Sequence, residues 1–129
     1  MSGRILSVSY DQSLLATRQI MLEQKGYNVT SALGFMAALE HCESRGFDLF
    51  ILGHSIPTRD KEKLVAQFRQ NCPAPVLSLE RMGEPRMTNC DFHVSPDQPE
   101  QLLEKVATIF QFSSMYRIPQ SGDGKENLT

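Results

Sequence analysis

The chain has 129 residues, a hydrophobic fraction of 40% and a formal net charge of −2 at pH 7, which suits one folded domain with its own core. The basic residues are scattered, and because phosphate binding requires clustered Lys and Arg, we expect no nucleic-acid partner. No apolar run reaches the ~18 residues of a membrane span and the N-terminus does not resemble a secretory signal, so we expect a cytoplasmic protein that does not bind membranes.

Short apolar runs alternate with segments of helical spacing along the chain. This alternation predicts a small parallel α/β sheet, whose ligands would bind at the carboxyl ends of the strands. The predicted strands are Arg4–Ser9, residues 27–32, Leu49–Leu52, Val76–Leu79 and Phe92–Val94. The third is apolar throughout, as is typical of a strand covered on both faces.

Capping residues and glycines mark four predicted helices. Their boundary residues are Asp11 or Ser13 and Gly26 for the first, Gly34 and Gly46 for the second, Asp60 for the third, and Asp97 with Glu100 for the last. The charged residues 59–63 are interpreted as a solvated start of the third helix.

One helix of the alternating series is predicted to be shortened or missing. Only residues 80–91 separate the fourth strand from the fifth, and they include Gly83 and Pro85. A full crossover with its helix needs at least about 10–12 residues, and a proline breaks most helices that it interrupts.

We expect a main domain over residues 1–112 and a partly flexible extension over residues 113–129. The extension is polar at its end but carries Met115, Tyr116 and Ile118. These apolar side chains either pack back on the domain or form a partner surface.

The sequence shows no set of residues that indicates catalysis. The three cysteines, Cys42, Cys72 and Cys90, have no CxxC spacing and are expected to be reduced thiols in the core. No His/Cys cluster has metal-ligand spacing, and we find no nucleophile–base pair and no phosphate-binding loop. We therefore expect no metal, no cofactor and no enzyme activity.

Several segments, in order, resemble the receiver domain of two-component response regulators. They are residues 4–8 (RILSV), 25–29 (KGYNV), 47–52 (FDLFIL), 56–57 (IP), 74–79 (APVLSL) and 94–96 (VSP). The resemblance covers roughly residues 4–111. It implies a flavodoxin-like, doubly wound sheet of five parallel strands in the order 2-1-3-4-5, with helices on both faces. It also implies a cis peptide bond at Ser95–Pro96.

The resemblance places a functional residue of the family at the end of four of the strands, and this chain departs from the family at each. The pair of acids that holds Mg²⁺ falls on Ser9 and Tyr10, and the phosphoacceptor aspartate falls on Gly53. The hydroxyl switch falls on Glu80 and the lysine falls on Ser95. Because glycine has no nucleophile and Mg²⁺ prefers carboxylate oxygens, the resemblance implies a degenerate, or pseudo-receiver, member of the family.

Three polar residues remain as binding candidates at these strand ends. Tyr10 could stack on a ligand and His54 could hydrogen-bond to one, or Tyr10 fills the space of the absent ion while His54 lies in solvent. Asp11 lies nearby, and either it or His54 could serve as an atypical phosphoacceptor.

These observations lead to one principal functional hypothesis and two alternatives. The first is a phosphorylation-independent signalling domain of a two-component, phosphorelay-type pathway that binds a protein partner or forms a homodimer. Its expected partner surface comprises Phe92, Val94, Met115 and Tyr116, because an open sheet edge invites pairing. The alternatives are a small-molecule sensor with a ligand in the vestigial cleft, and the atypical phosphoacceptor.

Overall fold

The fold is known from a computed structural model that describes residues 3–42, 46–81, 83 and 89–117, with the backbone alone for Cys42 and residues 113–117. The strands are β1 (Arg4–Ser9), β2 (Asn28–Leu33), β3 (Leu49–Leu52), β4 (Val76–Leu79) and β5 (Phe92–Val94). The helices are α1 (Gln12–Gln24), α2 (Phe35–Cys42), α3 (Thr58–Asn71) and α4 (Pro99–Arg117).

All five strands form one parallel sheet in the order β2-β1-β3-β4-β5, which confirms the predicted fold class. Four strand predictions match the structure residue for residue. The second strand begins one residue later than predicted, because the N–H of Tyr27 donates to the carbonyl of Leu22 and so belongs to the turn after α1.

The ends of α1 follow from its capping residues. The carboxylate of Asp11 accepts a hydrogen bond from the N–H of Leu14, at 3.0 Å, so Asp11 rather than Ser13 is the N-cap. After the helix, Gly26 adopts a φ of 94°, a conformation that costs glycine little and side-chain-bearing residues much more.

Residues of β1 alternate between the two faces of the sheet, and this alternation separates two environments. Leu6 and Val8 belong to the main hydrophobic cluster, which the sheet shares with α2 and α3. In that cluster the rings of Phe50 and Phe68 stack with centroids 4.1 Å apart. Ser7 points to the opposite face, where it meets Arg18 of α1.

The predicted start of α3 was wrong. The helix begins at Thr58 after Pro57, which has extended backbone angles and whose carbonyl accepts from the N–H of Lys61. Asp60 therefore lies in the first turn, and its carboxylate is used by Tyr10 rather than by the helix backbone.

No helix occurs between β4 and β5 among residues 80, 81, 83 and 89–91, which confirms the prediction for this part of the crossover. Pro85, on which that prediction partly depended, lies outside the described residues. No cis peptide bond occurs in the described ranges, so the expectation of a cis bond at Ser95–Pro96 was wrong.

The chain divides into two compact units, residues 1–97 and 98–129. The first contains the sheet and α1 to α3, and the second contains α4, which continues beyond residue 112 to Arg117. The side chains of Met115 and Tyr116, together with residues 118–129, lie outside the structural description. Within the described ranges, no helix combines the length and the apolar character needed to cross a membrane.

Candidate functional site

The parallel register brings the carboxyl ends of four strands to one edge of the sheet, where a ligand site is expected. Most of the candidate residues lie at this edge: Ser9, Tyr10 and Asp11 after β1, Gly53 and His54 after β3, Glu80 after β4 and Ser95 after β5. Their side chains do not converge on one empty point. Instead, most are engaged in contacts with other residues of the chain.

Two serines connect the loop after β1 to the loop after β3. The hydroxyl oxygens of Ser9 and Ser55 lie 3.1 Å apart, and the Ser55 hydroxyl accepts from the N–H of Tyr10 at 3.0 Å. The Ser9 hydroxyl also lies 3.0 Å from the nitrogen of Asp11, whose N–H donates to it. Neutral hydroxyl groups therefore join the two loops at the positions nearest to the expected metal site.

Tyr10 forms a second connection across the same edge. Its phenol donates to a carboxylate oxygen of Asp60 at 2.8 Å, and its ring packs against the main hydrophobic cluster. Partial burial and the Asp60 carboxylate both raise the pKa of Tyr10, because both disfavour a phenolate. The ring and the phenol of Tyr10 are thus both engaged within the chain, and the two interpretations of Tyr10 remain predictions.

Arg18 of α1 places a buried cation beside Gly53. The residue is only 6% exposed, and its Nη1 donates to the Ser7 hydroxyl at 3.1 Å and to the Val8 carbonyl at 3.3 Å. A Cβ atom at Gly53 would lie 2.9 Å from Nη2 of Arg18. The guanidinium therefore lies against the position that the resemblance assigns to the phosphoacceptor. Burial lowers the pKa of Arg18 to about 10, which leaves it charged at neutral pH.

Lys61 of α3 is a second buried cation at the strand ends. It is 3% exposed, and its Nζ donates to the hydroxyl of Ser78 and to the carbonyl of Leu79, both at 2.9 Å. These contacts attach the first turn of α3 to the end of β4. The interpretation of residues 59–63 as wholly solvated was therefore wrong for Lys61.

Glu80 and His54 each have an ionisable neighbour. An oxygen of Glu80 lies 3.0 Å from Nδ1 of His93, and both side chains are largely buried. Nη2 of Arg81 lies 3.0 Å from Nε2 of His54. Because a guanidinium can only donate, this nitrogen of His54 is the acceptor in the contact. His54 is half-buried rather than free in solvent.

Two of the candidates make only local hydrogen bonds to the backbone. Asp11 is exposed and caps α1, as described above. The Ser95 hydroxyl accepts from the N–H of Asp97 at 3.3 Å in the turn after β5. Neither contact brings Asp11 or Ser95 to Gly53.

The residues at this edge do not suit the Mg²⁺ ion that the resemblance implies. The hydroxyls of Ser9 and Ser55 bond to each other, the phenol of Tyr10 donates to Asp60, and Arg18 brings a positive charge to Gly53. Mg²⁺ requires carboxylate and water oxygens in near-octahedral geometry. Among the described residues, no group of three or more His, Cys, Asp or Glu side chains could hold a metal ion.

Sequence analysis missed Arg18 and Lys61, although each carries a signal. Arg18 lies three residues after buried Leu15 and four before buried Leu22, so it interrupts the apolar stripe of α1. Lys61 lies three residues before buried Leu64 and four before buried Val65, on the apolar stripe of α3. A cation in phase with an apolar stripe predicts a buried charge that requires partners.

Comparisons with known proteins place the chain beside bacterial signalling proteins. No family model matches it. It is 27% identical over 123 residues to the alkaline phosphatase synthesis transcriptional regulatory protein PhoP of Bacillus subtilis, covering 89% of this chain and 51% of that protein. It is 29% identical over 120 residues to the CAI-1 autoinducer sensor kinase/phosphatase CqsS of Vibrio cholerae, covering 81% of this chain and 17% of that protein. The chain thus spans half or less of the length of these relatives.

Comparison with solved structures identifies proteins that have a similar fold. A two-component response regulator from Clostridium difficile superposes with a TM-score of 0.75 at 22% identity, covering 85% of this chain and 97% of that one. The N-terminal domain of a response regulator/sensory box/GGDEF 3-domain protein from Carboxydothermus hydrogenoformans gives 0.74 at 20% identity, covering 88% and 98%. The chain therefore has the fold of response-regulator receiver domains.

Proposed function

We propose that this chain, which has the receiver-domain fold, is a signalling domain that works by protein–protein contact without phosphorylation of its own cleft. The pathway we propose for it is of the two-component type, to which response regulators such as its structural neighbours belong. It transmits a signal by binding a partner protein or a second copy of itself, and it catalyses no reaction.

The observation that carries this proposal is the guanidinium of Arg18 beside Gly53. Gly53 offers no carboxylate to accept a phosphoryl group, and the space beside it is taken by a cation that belongs to the protein. An arginine is held there by the hydroxyl of Ser7 and the carbonyl of Val8, so it does not depend on a bound ion.

The contacts between the loops support the proposal independently. The resemblance places the family's metal-binding acids in the loop after β1 and its phosphoacceptor in the loop after β3. In this chain the Ser9–Ser55 contact joins the same loops at 3.1 Å, and the Tyr10–Asp60 contact joins the loop after β1 to the first turn of α3 at 2.8 Å. A domain with such fixed contacts would present one surface to its partner at all times.

We place the partner surface at β5, the edge strand of the sheet. Phe92 is partly exposed, whereas Val94 is only 8% exposed, so Phe92 is the residue of this strand that a partner would contact.

Incubation with acetyl phosphate and Mg²⁺, followed by intact-mass measurement, tests phosphorylation directly. We expect no mass increase of the purified chain. We expect none for Gly53→Asp either, because the new carboxylate would pair with Arg18 and would still lack the neighbouring acids. A stable phosphoryl adduct on the unmodified chain, located by peptide mapping to Asp11 or His54, would contradict the proposal and favour the atypical phosphoacceptor.

A further inference from the structure

The hydrogen bonds of Arg18 leave one edge of its guanidinium unused. Both of its contacts are made by Nη1, to Ser7 and Val8. Nε and Nη2 donate to no atom of the described residues, and the residue forms no ion pair with a described carboxylate. A guanidinium carries five N–H donors, so three of them remain.

The unused nitrogens also reach the surface. A buried side-chain nitrogen without a partner is costly, and no atom of Arg18 is among the sealed, unsatisfied atoms of the described residues. The 6% of Arg18 that remains exposed must therefore include these nitrogens. Nη2 is the atom that lies closest to the Cβ position of Gly53, at the carboxyl edge of the sheet.

This edge of the guanidinium has the geometry of an oxyanion receptor. Nε–H and one Nη2–H point in parallel and match two oxygens of a carboxylate or a phosphate group. Gly53, whose Cβ position lies 2.9 Å from Nη2, has no side chain to compete for this nitrogen. The neighbouring residue, His54, is itself contacted by the guanidinium of Arg81, so the same loop meets a second positive charge.

We propose that Arg18 is a receptor for a small oxyanion, a phosphate or carboxylate group, bound non-covalently at Gly53 without a metal ion. A buried cation that lacks a carboxylate partner is stabilised when an anion reaches it. This inference goes beyond the proposed function, since it requires neither a partner protein nor a phosphoacceptor.

Anion titrations of the full chain test the proposal, with amide NMR as the readout. Sodium phosphate and sodium acetate are each added against sodium chloride at constant ionic strength, in the presence of EDTA. We expect saturable chemical-shift changes of the Val8 and Gly53 amides with phosphate, acetate or both. The anion that causes them shows whether the site binds a phosphate group, a carboxylate group or both. Equal responses to all three salts would overturn the proposal.

Three variants separate the role of Arg18 from a general effect of charge. We expect Arg18→Met to weaken binding of the active probe by tenfold or more and Arg18→Lys to weaken it less, because lysine keeps the charge but loses the fork. Lys63→Met, which removes one exposed positive charge from α3, is the matched control and should bind as the unmodified chain does. Unchanged binding by Arg18→Met would overturn the proposal.

The same titrations distinguish this inference from the proposed function. The inferred site works in EDTA, whereas phosphorylation by acetyl phosphate requires Mg²⁺. A phosphoryl adduct formed only with Mg²⁺ would contradict the proposed function without affecting the anion site. Absence of anion-dependent shifts in EDTA would contradict the anion site without affecting the proposed function. If Arg18→Met does not fold, the comparison of Arg18→Lys with Lys63→Met still decides the question.

Discussion

Arg18 and Lys61 are buried side chains that carry positive charge among apolar neighbours, and both donate to hydroxyl and carbonyl oxygens. Desolvation of such a charge opposes folding, and the neutral oxygens that Arg18 contacts compensate for it only in part. The low pKa of Arg18, about 10, expresses the same penalty. Substitution of the buried charge therefore measures its net contribution to the free energy of unfolding.

Replacing the charge of Arg18 together with its hydroxyl partner should stabilise the fold. We expect Ser7→Ala/Arg18→Met to raise the free energy of unfolding by about 1–3 kcal/mol, because both members of a buried polar contact become apolar. Arg18→Met alone should raise the free energy of unfolding by less, since it leaves the buried hydroxyl of Ser7 without this donor. Urea denaturation in chloride buffer measures both, and a less stable double variant would contradict the expectation.

Tyr10 should make stability depend on alkaline pH. Its folded-state pKa is raised, so above the ordinary tyrosine pKa of about 10 the unfolded chain loses a proton that the folded chain keeps. Stability contributed by Tyr10 is thus complete below that pH and decreases as the pH rises above it.

Tyr10→Phe isolates this contribution. We expect it to cost about 1 kcal/mol at neutral pH, through loss of the bond to Asp60, and to flatten the decrease in stability between pH 9 and pH 11. Denaturation curves at the two pH values give the slope, and Ser13→Ala, on the exposed surface of α1, is a control. Identical slopes in the variant and the unmodified chain would show that Tyr10 is not the source.

At the scale of elements, the loops after β1 and β3 are coupled by direct contacts. Ser9→Ala, Ser55→Ala and the double variant form a thermodynamic cycle on the 3.1 Å contact between the two hydroxyls. We expect a coupling free energy of about 1 kcal/mol, the usual contribution of a partly buried hydrogen bond. Additive effects would mean that these hydroxyls do not join the loops.

The sequence was sufficient to predict the elements whose pattern is set by local chemistry. Strand β3 is apolar at every position and lies between Asp48 and Gly53, so both of its boundaries could be predicted. The start of α3 could not, because the Asp60 carboxylate, a good N-cap in isolation, is bound by Tyr10 from another element. Lys61 was misjudged for the same reason, since its oxygen partners come from β4, 17 and 18 residues along the chain. Local patterns do not show contacts between elements distant in sequence.

At the scale of the whole molecule, the sheet ends at β5, and the residue through which we expect it to associate is Phe92. Phe92→Asp should abolish partner binding or self-association, because a carboxylate in an apolar contact would be desolvated without compensation. Light scattering coupled to size-exclusion chromatography measures the oligomeric state. Met36→Asp, at an apolar residue of α2 that is 68% exposed, is the matched control. An oligomeric state and partner binding unaffected by Phe92→Asp would exclude this surface.

The central claim is that the strand-end cleft is held by the chain's own residues and accepts no phosphoryl group through the Mg²⁺-dependent chemistry of a receiver. Amide NMR spectra recorded with and without Mg²⁺ plus beryllofluoride, which mimics a phosphorylated aspartate, test this claim directly. We predict no Mg²⁺-dependent change in the spectra, because Gly53 offers no carboxylate to the mimic and Arg18 lies against it. Mg²⁺-dependent shifts clustered at residues 8–11, 52–55 and 78–80 would contradict the claim, since they would mean that the cleft still binds the phosphoryl mimic.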